Sequence, residues 1–406
     1  MAAAFALPQD QPRHEPAGRR RALFALGFRP FYLAGAAYAV LVLPLWLAVY
    51  GGHVALQVSD ALAWHGHEML FGFGAAIIAG FLLTAVRNWT GGETPTGTPL
   101  VLLVLVWLAG RVAPFLLPAG FAAMADLAFL PVLAVALAQP IFLMRVRKAS
   151  QRPWLPLVVL SLLTIANLLY HAGALGLWAE GVVFGRHLAL GVVAILISVI
   201  AARIVPSFTM SGAGVFIPAA LRRDRIALIV LVLAVALDLA AVLWPLPPLL
   251  LVTANAATAL LHASRLQQWH SWSARRIPLL AILHIAYLWL PLAFALRAAS
   301  AWSDAVTPAM ADHALGVGAM AGLMLAMMTR SALGHTGRKL KAGPVEIGIY
   351  GAIMLAALLR LCALLHPALQ WPLLLGAGIA WEAAFGLFLL RYLPILLRPR
   401  IDGKPG

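Results

Sequence analysis

Long apolar runs, separated by short polar segments, occupy almost the whole chain. Each run is close to the length of about 20 residues that a helix needs to cross the hydrocarbon of a bilayer. The pattern predicts an all-α integral membrane protein, a bundle of about twelve transmembrane helices. Only residues 245–248 separate the seventh run from the eighth, which predicts a tight hairpin there. The predicted spans are residues 30–50, 64–86, 100–117, 121–144, 154–177, 185–205, 226–244, 249–266, 277–298, 309–329, 344–365 and 371–394.

Lysine and arginine alternate between the two sides of this pattern. They cluster in the N-terminal tail, in the 4–5, 6–7, 8–9 and 10–11 loops and in the C-terminal tail, whereas the intervening loops are nearly free of them. Because cytoplasmic loops carry the positive excess, both termini are predicted to be cytoplasmic and the number of spans even. We expect a disordered basic cytoplasmic tail over residues 1–22, one polytopic transmembrane domain over 23–398 and a short cytoplasmic tail over 399–406.

Composition supports a multi-pass membrane protein. Of the 406 residues, 63% are hydrophobic and 11% are charged, against about 25% charged in soluble proteins. The lipid bilayer is therefore the expected partner for most of the surface. The net charge of +15 would suggest nucleic acid in a soluble protein. Here the basic residues lie in short loops, so we assign them a topological role and expect no nucleic-acid partner.

Cys362 is the single cysteine of the chain. One thiol excludes a disulfide framework, a four-thiolate iron–sulfur cluster and the C-x-x-C-H attachment of c-type haem. Any metal site must therefore use histidine, methionine, carboxylate or tyrosine ligands.

The histidines inside the predicted spans fall into two layers. Ionisable residues are costly in lipid, so each one is a candidate functional residue. Random placement would scatter them between the two surfaces, yet five lie in one outer-leaflet layer. A smaller inner set could form a second site, although ordinary hydrogen bonding explains it equally simply. The outer layer contains His65, His67, His171, His187 and His313, and the inner set contains His262 and His284.

Two features of the outer layer favour haem over a bare ion. Histidines on facing helices can hold haem iron, and glycines on the histidine face would leave a flat slot for a porphyrin. Arg111 and Arg360 lie inside spans towards the outer side, and Arg186 lies at that edge, where guanidinium groups could pair with haem propionates. The histidine–glycine combinations are His65 with Gly72, His67 with Gly74, His187 with Gly191, and His313 with Gly316.

His65 and His67 should have different roles, because residues two positions apart on a helix face different ways. One could bind haem while the other serves a second metal or a hydrogen-bond network, with Glu68 orienting a ring nitrogen. The candidate metal ligands are thus His65, His67, His171 and His313. The alternative for the whole layer is a set of polar residues at the lipid headgroups.

Three further polar or sulfur-bearing features have simpler explanations. Helix packing explains the stripe of Met320, Met324, Met327 and Met328 better than copper ligation does. Asp238 and Glu382 are isolated carboxylates that do not define a proton path. Each could pair with an arginine or histidine of a neighbouring helix.

Several longer motifs resemble the NnrS family of membrane proteins. They occur in order from about residue 23 to beyond 340, and they are specific together although each is short. They read LFALGFRPFYL at 23–33, WHGHEMLFGF at 64–73, GFLLTAVRNWTGG at 80–92, LLYHAG at 168–173, ARIVPSFT at 202–209, LHASRLQQW at 261–269, LHIAYLWLPL at 283–292, DHALGVGAM at 312–320 and MMTRSALGHTGR at 327–338.

The resemblance implies about twelve spans, bound haem b and copper, and a part in the response to nitric oxide, which would be the small-molecule ligand. Relief of nitrosative stress during denitrification is the expected role, and haem-dependent oxidoreductase activity is one way to achieve it. The motifs single out His65, His67, His171, His262, His284 and His313, whereas His187 comes from its depth alone. Ala202 stands where the family has glycine.

Two other classes of function compete with this one. A secondary transporter with a polar vestibule on the periplasmic side would suit the length and topology, although no internal repeat is visible. A scaffold protein of a respiratory complex would need to bind its partner within the bilayer, because the loops are short.

Overall fold

The computed structural model describes residues 22–55, 60–143 and 154–404, and within these ranges the fold is helical without strands. Twelve helices are long and apolar enough to cross a membrane, which confirms the predicted fold class. The predicted N-terminal tail lies outside the described residues except for residue 22. The helices are α1 (Phe28–Tyr50), α2 (Ala61–Thr90), α3 (Thr98–Leu116), α4 (Ala119–Phe142), α5 (Leu155–Ala174), α6 (Gly181–Ala213), α7 (Leu221–Leu243), α8 (Pro248–Gln268), α9 (Pro278–Ser300), α10 (Pro308–His335), α11 (Pro344–Leu365) and α12 (Pro367–Leu396).

Helix α2 is the most enclosed of the twelve. Its apolar window is 89% buried inside the protein, against 22% for α7 at the periphery. It contacts α1, α4, α6 and α10, so side chains on different sides of α2 point towards different parts of the bundle. Both WHGHEMLFGF histidines are on this helix.

Two π-helical segments follow outer-layer histidines directly. Glu68–Gly74 in α2 begins after His67, and Ala314–Ala321 in α10 begins after His313. The two segments contact each other. A π turn takes one more residue than an α turn, so it changes which side chains lie on the same face of the helix, and such turns are frequent at functional sites. Apart from glycine-rich composition, the sequence carries no signal for them.

The structure changes some of the predicted boundaries. The sixth span is predicted to end at Val205, before a proline, but α6 continues through Pro206 to Ala213. Proline is tolerated inside membrane helices where neighbouring groups, including Ser and Thr side chains, help to satisfy the backbone. In the turn that follows, Thr209 Oγ1 donates to the Val205 carbonyl at 2.8 Å. A turn at Ala128 divides α4 into two helical parts. The predicted hairpin between α7 and α8 is confirmed.

Glycines let α5 and α6 pack backbone against backbone. A Cβ atom added at Gly185 would lie 2.5 Å from the carbonyl oxygen of Ala166 and 2.6 Å from the backbone nitrogen of Tyr170. Small residues at such an interface are how membrane helices approach closely. The contact fixes the part of α5 that carries Asn167 and His171.

We expect Gly185→Ala to lower the stability of the protein, because the added methyl group has only backbone atoms to displace. Overpacking of this kind costs about 1–3 kcal/mol. Gly351→Ala is the control, since a Cβ there meets no atom within 4 Å. Both variants are heated in detergent, and size-exclusion chromatography measures the fraction that remains folded at each temperature. Equal midpoints for the two variants would contradict the packing assigned to α5 and α6.

Candidate functional site

The outer histidines divide into two groups on different sides of α2. His65 faces a cavity, which we call the outer cavity. His67 faces a buried group of polar side chains, which we call the outer polar cluster. This separation agrees with the expectation from their spacing of two residues.

The outer cavity has a volume of about 390 Å³ and lies between α1, α2, α6, α10, α11 and α12. This volume is in the range of ligand pockets, about 300–1,000 Å³. Its wall is mainly apolar, with a few charged and aromatic groups. The polar lining includes His65, Arg186, His187, Asp312, His313 and Arg360.

His65 and His313 form a pair across the cavity. Their ring centroids are 6.4 Å apart and their planes differ by 15°. The His65 ring stacks on Trp46 with a centroid distance of 4.1 Å. Nδ1 of His313 is 2.7 Å from the Ala309 carbonyl oxygen, which can only accept, so Nδ1 carries the proton. The lone pair of the neutral ring is therefore on Nε2.

Three buried nitrogen atoms of the cavity residues have no hydrogen-bond partner within the described ranges. They are His65 Nδ1, Arg186 Nε and Arg360 Nη1. A buried donor without a partner costs about 1–3 kcal/mol, more when charged, and native proteins leave few such atoms. Two guanidinium groups with unsatisfied donors at one cavity indicate a site for an anionic group.

The glycine slot predicted beside the histidines is found at only one of four positions. Gly316 lines the cavity, and a Cβ there would meet no atom within 4 Å. A Cβ at Gly72 would lie 2.6 Å from the ring of Tyr38, and one at Gly191 would lie 2.4 Å from the Val235 side chain. A Cβ added at Gly74 would lie 3.1 Å from the backbone oxygen of Met69. Gly72 and Gly191 therefore permit close helix packing, whereas the tightest neighbour of Gly74 is the backbone of its own helix, and none of the three lines the cavity.

The outer polar cluster is built by the first five helices. Arg111 on α3 is at its centre, with Nη1 2.5 Å from Glu68 Oε2 and Nη2 paired with Asp126. The Tyr38 hydroxyl donates to the same Glu68 oxygen. These charged side chains are at most 5% exposed, so pairing is what allows them inside the bundle. The members of the cluster are Tyr38, His67, Glu68, Arg111, Asp126, Asn167 and His171.

His67, Asp126 and His171 could hold a metal ion. Their ligand atoms all lie within 4.8 Å of one another. Asp126 Oδ2 is 3.2 Å from His67 Nε2 and 2.8 Å from His171 Nε2. Glu68 Oε1 is 3.1 Å from the other ring nitrogen of His67. A carboxylate behind a ligating imidazole is the usual support of a metal-bound histidine.

Hydrogen-bond acceptors face both nitrogens of the His67 ring. Glu68 Oε1 faces Nδ1, while Asn167 Oδ1, at 3.0 Å, and Asp126 Oδ2 face Nε2. The amide nitrogen of Asn167 donates to Asp126 at 2.8 Å, which fixes its oxygen towards His67. All three neighbours are acceptors, but neutral imidazole has one N–H. A cation bound at Nε2, with the N–H at Nδ1 donating to Glu68, would suit the groups on both sides of the ring.

Arg111 does not line the outer cavity. It is a predicted propionate partner, but its guanidinium group contacts Glu68 and Asp126 instead. The arginines of the cavity are Arg186 and Arg360. Arg360 therefore lies where the sequence argument placed it, and Arg186 joins it as an equal candidate for binding an anionic group.

The inner histidines have separate hydrogen-bond partners. His262 Nδ1 is 2.7 Å from the Tyr287 hydroxyl. His284 contacts the hydroxyls of Thr209 and Ser271 at 2.9 and 2.8 Å. No contact joins the two rings in the part of the chain that the structure describes. Hydroxyl groups contact both ring nitrogens of His284, whereas for His262 they contact Nδ1, and the buried Nε2 has no hydrogen-bond partner among the described residues.

Sequence reasoning missed Asp126, which is central to the outer polar cluster. The depth argument that selected the histidines would have found it, since it is a carboxylate in the first half of α4, towards the outer end. Asp238 has the expected arginine partner, with Arg297 at 3.8 Å. Arg297 also pairs with Asp312 of the cavity. For Glu382 the described residues provide no partner for the buried Oε1.

Removing the charge of Asp126 should destabilise the outer half of the bundle. Asp126→Asn leaves Arg111 with one carboxylate, and breaking a buried ion pair costs about 3–5 kcal/mol. Asp304→Asn is the control, because Asp304 is exposed in the α9–α10 loop. Thermal unfolding in detergent is the measurement. A midpoint for Asp126→Asn as high as that of the control would show that the cluster does not depend on this pair.

Comparison with known proteins identifies the family. No curated protein matches the chain. The family model described as NnrS protein matches residues 22–400, which covers all twelve helices and both groups of outer histidines. The chain therefore belongs to the NnrS family.

Proposed function

We propose that this protein binds haem b in the outer cavity and copper at the outer polar cluster, and that it acts in the bacterial inner membrane in the response to nitric oxide. Membership of the NnrS family and the multi-pass fold support this proposal. Nitric oxide is the proposed ligand, and relief of nitrosative stress is the proposed role.

The observation that carries the proposal is the combination of groups at the outer cavity. His65 and His313 come from different helices, and their rings face each other across 6.4 Å. Arg186 and Arg360 have buried nitrogens that need acceptors. Haem needs imidazole for its iron and cations for its propionates, so the donor set fits. His65 and His313 would hold the iron, and Arg186 and Arg360 the propionates.

Bound haem would supply reversible binding of a diatomic ligand and one-electron chemistry. The protein's own groups would set the conditions for it. Trp46 stacks on His65 and restrains its ring. The Ala309 carbonyl fixes the His313 tautomer with Nε2 as the lone-pair atom. Apolar side chains form most of the wall around these groups.

The outer polar cluster suits a divalent or monovalent cation. Its net charge is −1, from one glutamate, one aspartate and one guanidinium group. The His67 ring faces only hydrogen-bond acceptors. Imidazole nitrogen is a good ligand for copper. His67, His171 and Asp126 would bind the ion. Glu68 would orient the His67 ring through Nδ1, and Asn167 would hold Asp126 through its amide nitrogen.

A secondary transporter is the second candidate. The two arginines of the outer cavity would also suit an anion in a periplasmic vestibule. An absorption spectrum distinguishes the two proposals, because a transporter without haem has no Soret band.

Haem binding is tested by the ultraviolet–visible spectrum of protein purified from cells well supplied with haem. We expect a b-type spectrum that shifts with nitric oxide, and its loss or change to a single-histidine type in His65→Ala and His313→Ala. His366→Ala is the control, since His366 is exposed on the outer side. A wild-type protein without a Soret band would overturn the haem proposal and favour the vestibule.

Copper binding is tested by metal analysis of the same preparations. His67→Ala and His171→Ala should lower the copper content, while the Soret band persists because the cavity histidines are intact. His366→Ala is again the control, since His366 is exposed and lies outside the outer polar cluster. Equal copper content in all three variants would show that the metal binds elsewhere.

A further inference from the structure

A second, wholly different pocket lies deeper in the membrane. It has a volume of about 90 Å³ and is bounded by the middle parts of α2, α6 and α10 and by Tyr32 near the start of α1. Aliphatic, methionine and aromatic side chains form its wall. Ile200, Ile204 and Leu323 are half-buried members of that wall, so the pocket faces the lipid between α6 and α10.

Met320 separates this apolar pocket from the outer cavity. Its side chain lines both spaces and is 3% exposed. Methionine is unbranched and flexible, with three rotatable bonds. A rotamer change at this one residue would therefore join the two spaces.

The size and chemistry of the apolar pocket restrict what it can hold. Ligand sites for larger molecules have volumes of about 300–1,000 Å³, so a pocket of this size takes only a few atoms. Apolar cavities of about 150 Å³ stay dry and bind xenon or benzene. A small uncharged molecule that dissolves in lipid is the occupant that fits.

We propose that the apolar pocket is the access route by which an uncharged diatomic molecule passes from the lipid, past Met320, to the histidine pair of the outer cavity. This inference rests on the proposed haem site. It explains how a ligand reaches that site without crossing the charged outer side, where Arg186 and Arg360 would hold an anion.

Ligand kinetics test the route. In protein with reduced haem, carbon monoxide is released by a laser pulse and its second-order rebinding is measured against gas concentration. Ile204→Trp should fill the pocket and slow rebinding about tenfold, equal to about 1.4 kcal/mol of barrier. Met320→Ala should open the passage and speed rebinding. Leu355→Trp is the control, because it adds the same bulk on α11, away from the pocket, where Leu355 is 49% exposed.

Haem content, read from the Soret band of each sample, separates the two proposals. If the haem content is normal and the rebinding rates are equal in all variants, the proposed access route is wrong and the proposed function is unaffected. No haem in the wild type overturns the proposed function itself. Crystals under xenon pressure then test the pocket without haem. Xenon beside Ile204 and Met320 supports the route, and a lipid or detergent chain there instead contradicts it.

Discussion

Arg111 lies between two carboxylates in a part of the bundle that water does not reach. Its charge can remain there only while Glu68 and Asp126 stay in contact with it, since an unpaired charge in this environment is far too costly. The three residues come from α2, α3 and α4, and Tyr38 and Asn167 extend the contacts to α1 and α5. The relative positions of five helices are thus tied to one ionic group, and the cavity on the other side of α2 depends on them.

Helix α2 connects the two sites while keeping them apart. His65 and His67 are two residues apart, so one ring enters the outer cavity and the other enters the polar cluster. The π-helical segment begins directly after them and contacts the corresponding segment of α10, which follows His313. A change at one site that moved α2 would also move side chains at the other site, because the helix is enclosed along its length and its neighbours are closely packed. This arrangement gives a physical basis for coupling between the two proposed centres.

The sequence was sufficient for the twelve spans, while the depth of the histidines in the membrane stays a prediction. A helix that crosses lipid needs an apolar run of fixed length, so the length of each run predicts a helix. The arginine bias of the loops predicts the direction of that helix. Depth alone could not predict which side of its helix each group occupies, so Arg111 was expected at the cavity. Asp126 has the same outer depth as the histidines, and the depth criterion would have found it had it been extended to carboxylates. The π turns change which side chains lie on the same face of the helix, and composition does not reveal this change. Two of the four glycines beside histidines, Gly72 and Gly191, serve contacts with a neighbouring helix, because a missing Cβ suits a porphyrin and a neighbouring helix equally well.

The charges of the two sites decide which cofactor would suit which site. The outer cavity has two arginines, and its one carboxylate, Asp312, is already paired with Arg297. It therefore favours a ligand that carries negative charge and that imidazole can coordinate, such as haem with its propionates. The polar cluster has two carboxylates for one guanidinium group, and a histidine that faces only acceptors, so it favours a bare cation. Exchanging the assignments would place a dianion against Glu68 and Asp126 and leave Arg186 and Arg360 unsatisfied. Electrostatics thus supports haem at His65 and His313, and metal at His67, Asp126 and His171, independently of how well either site fits by shape.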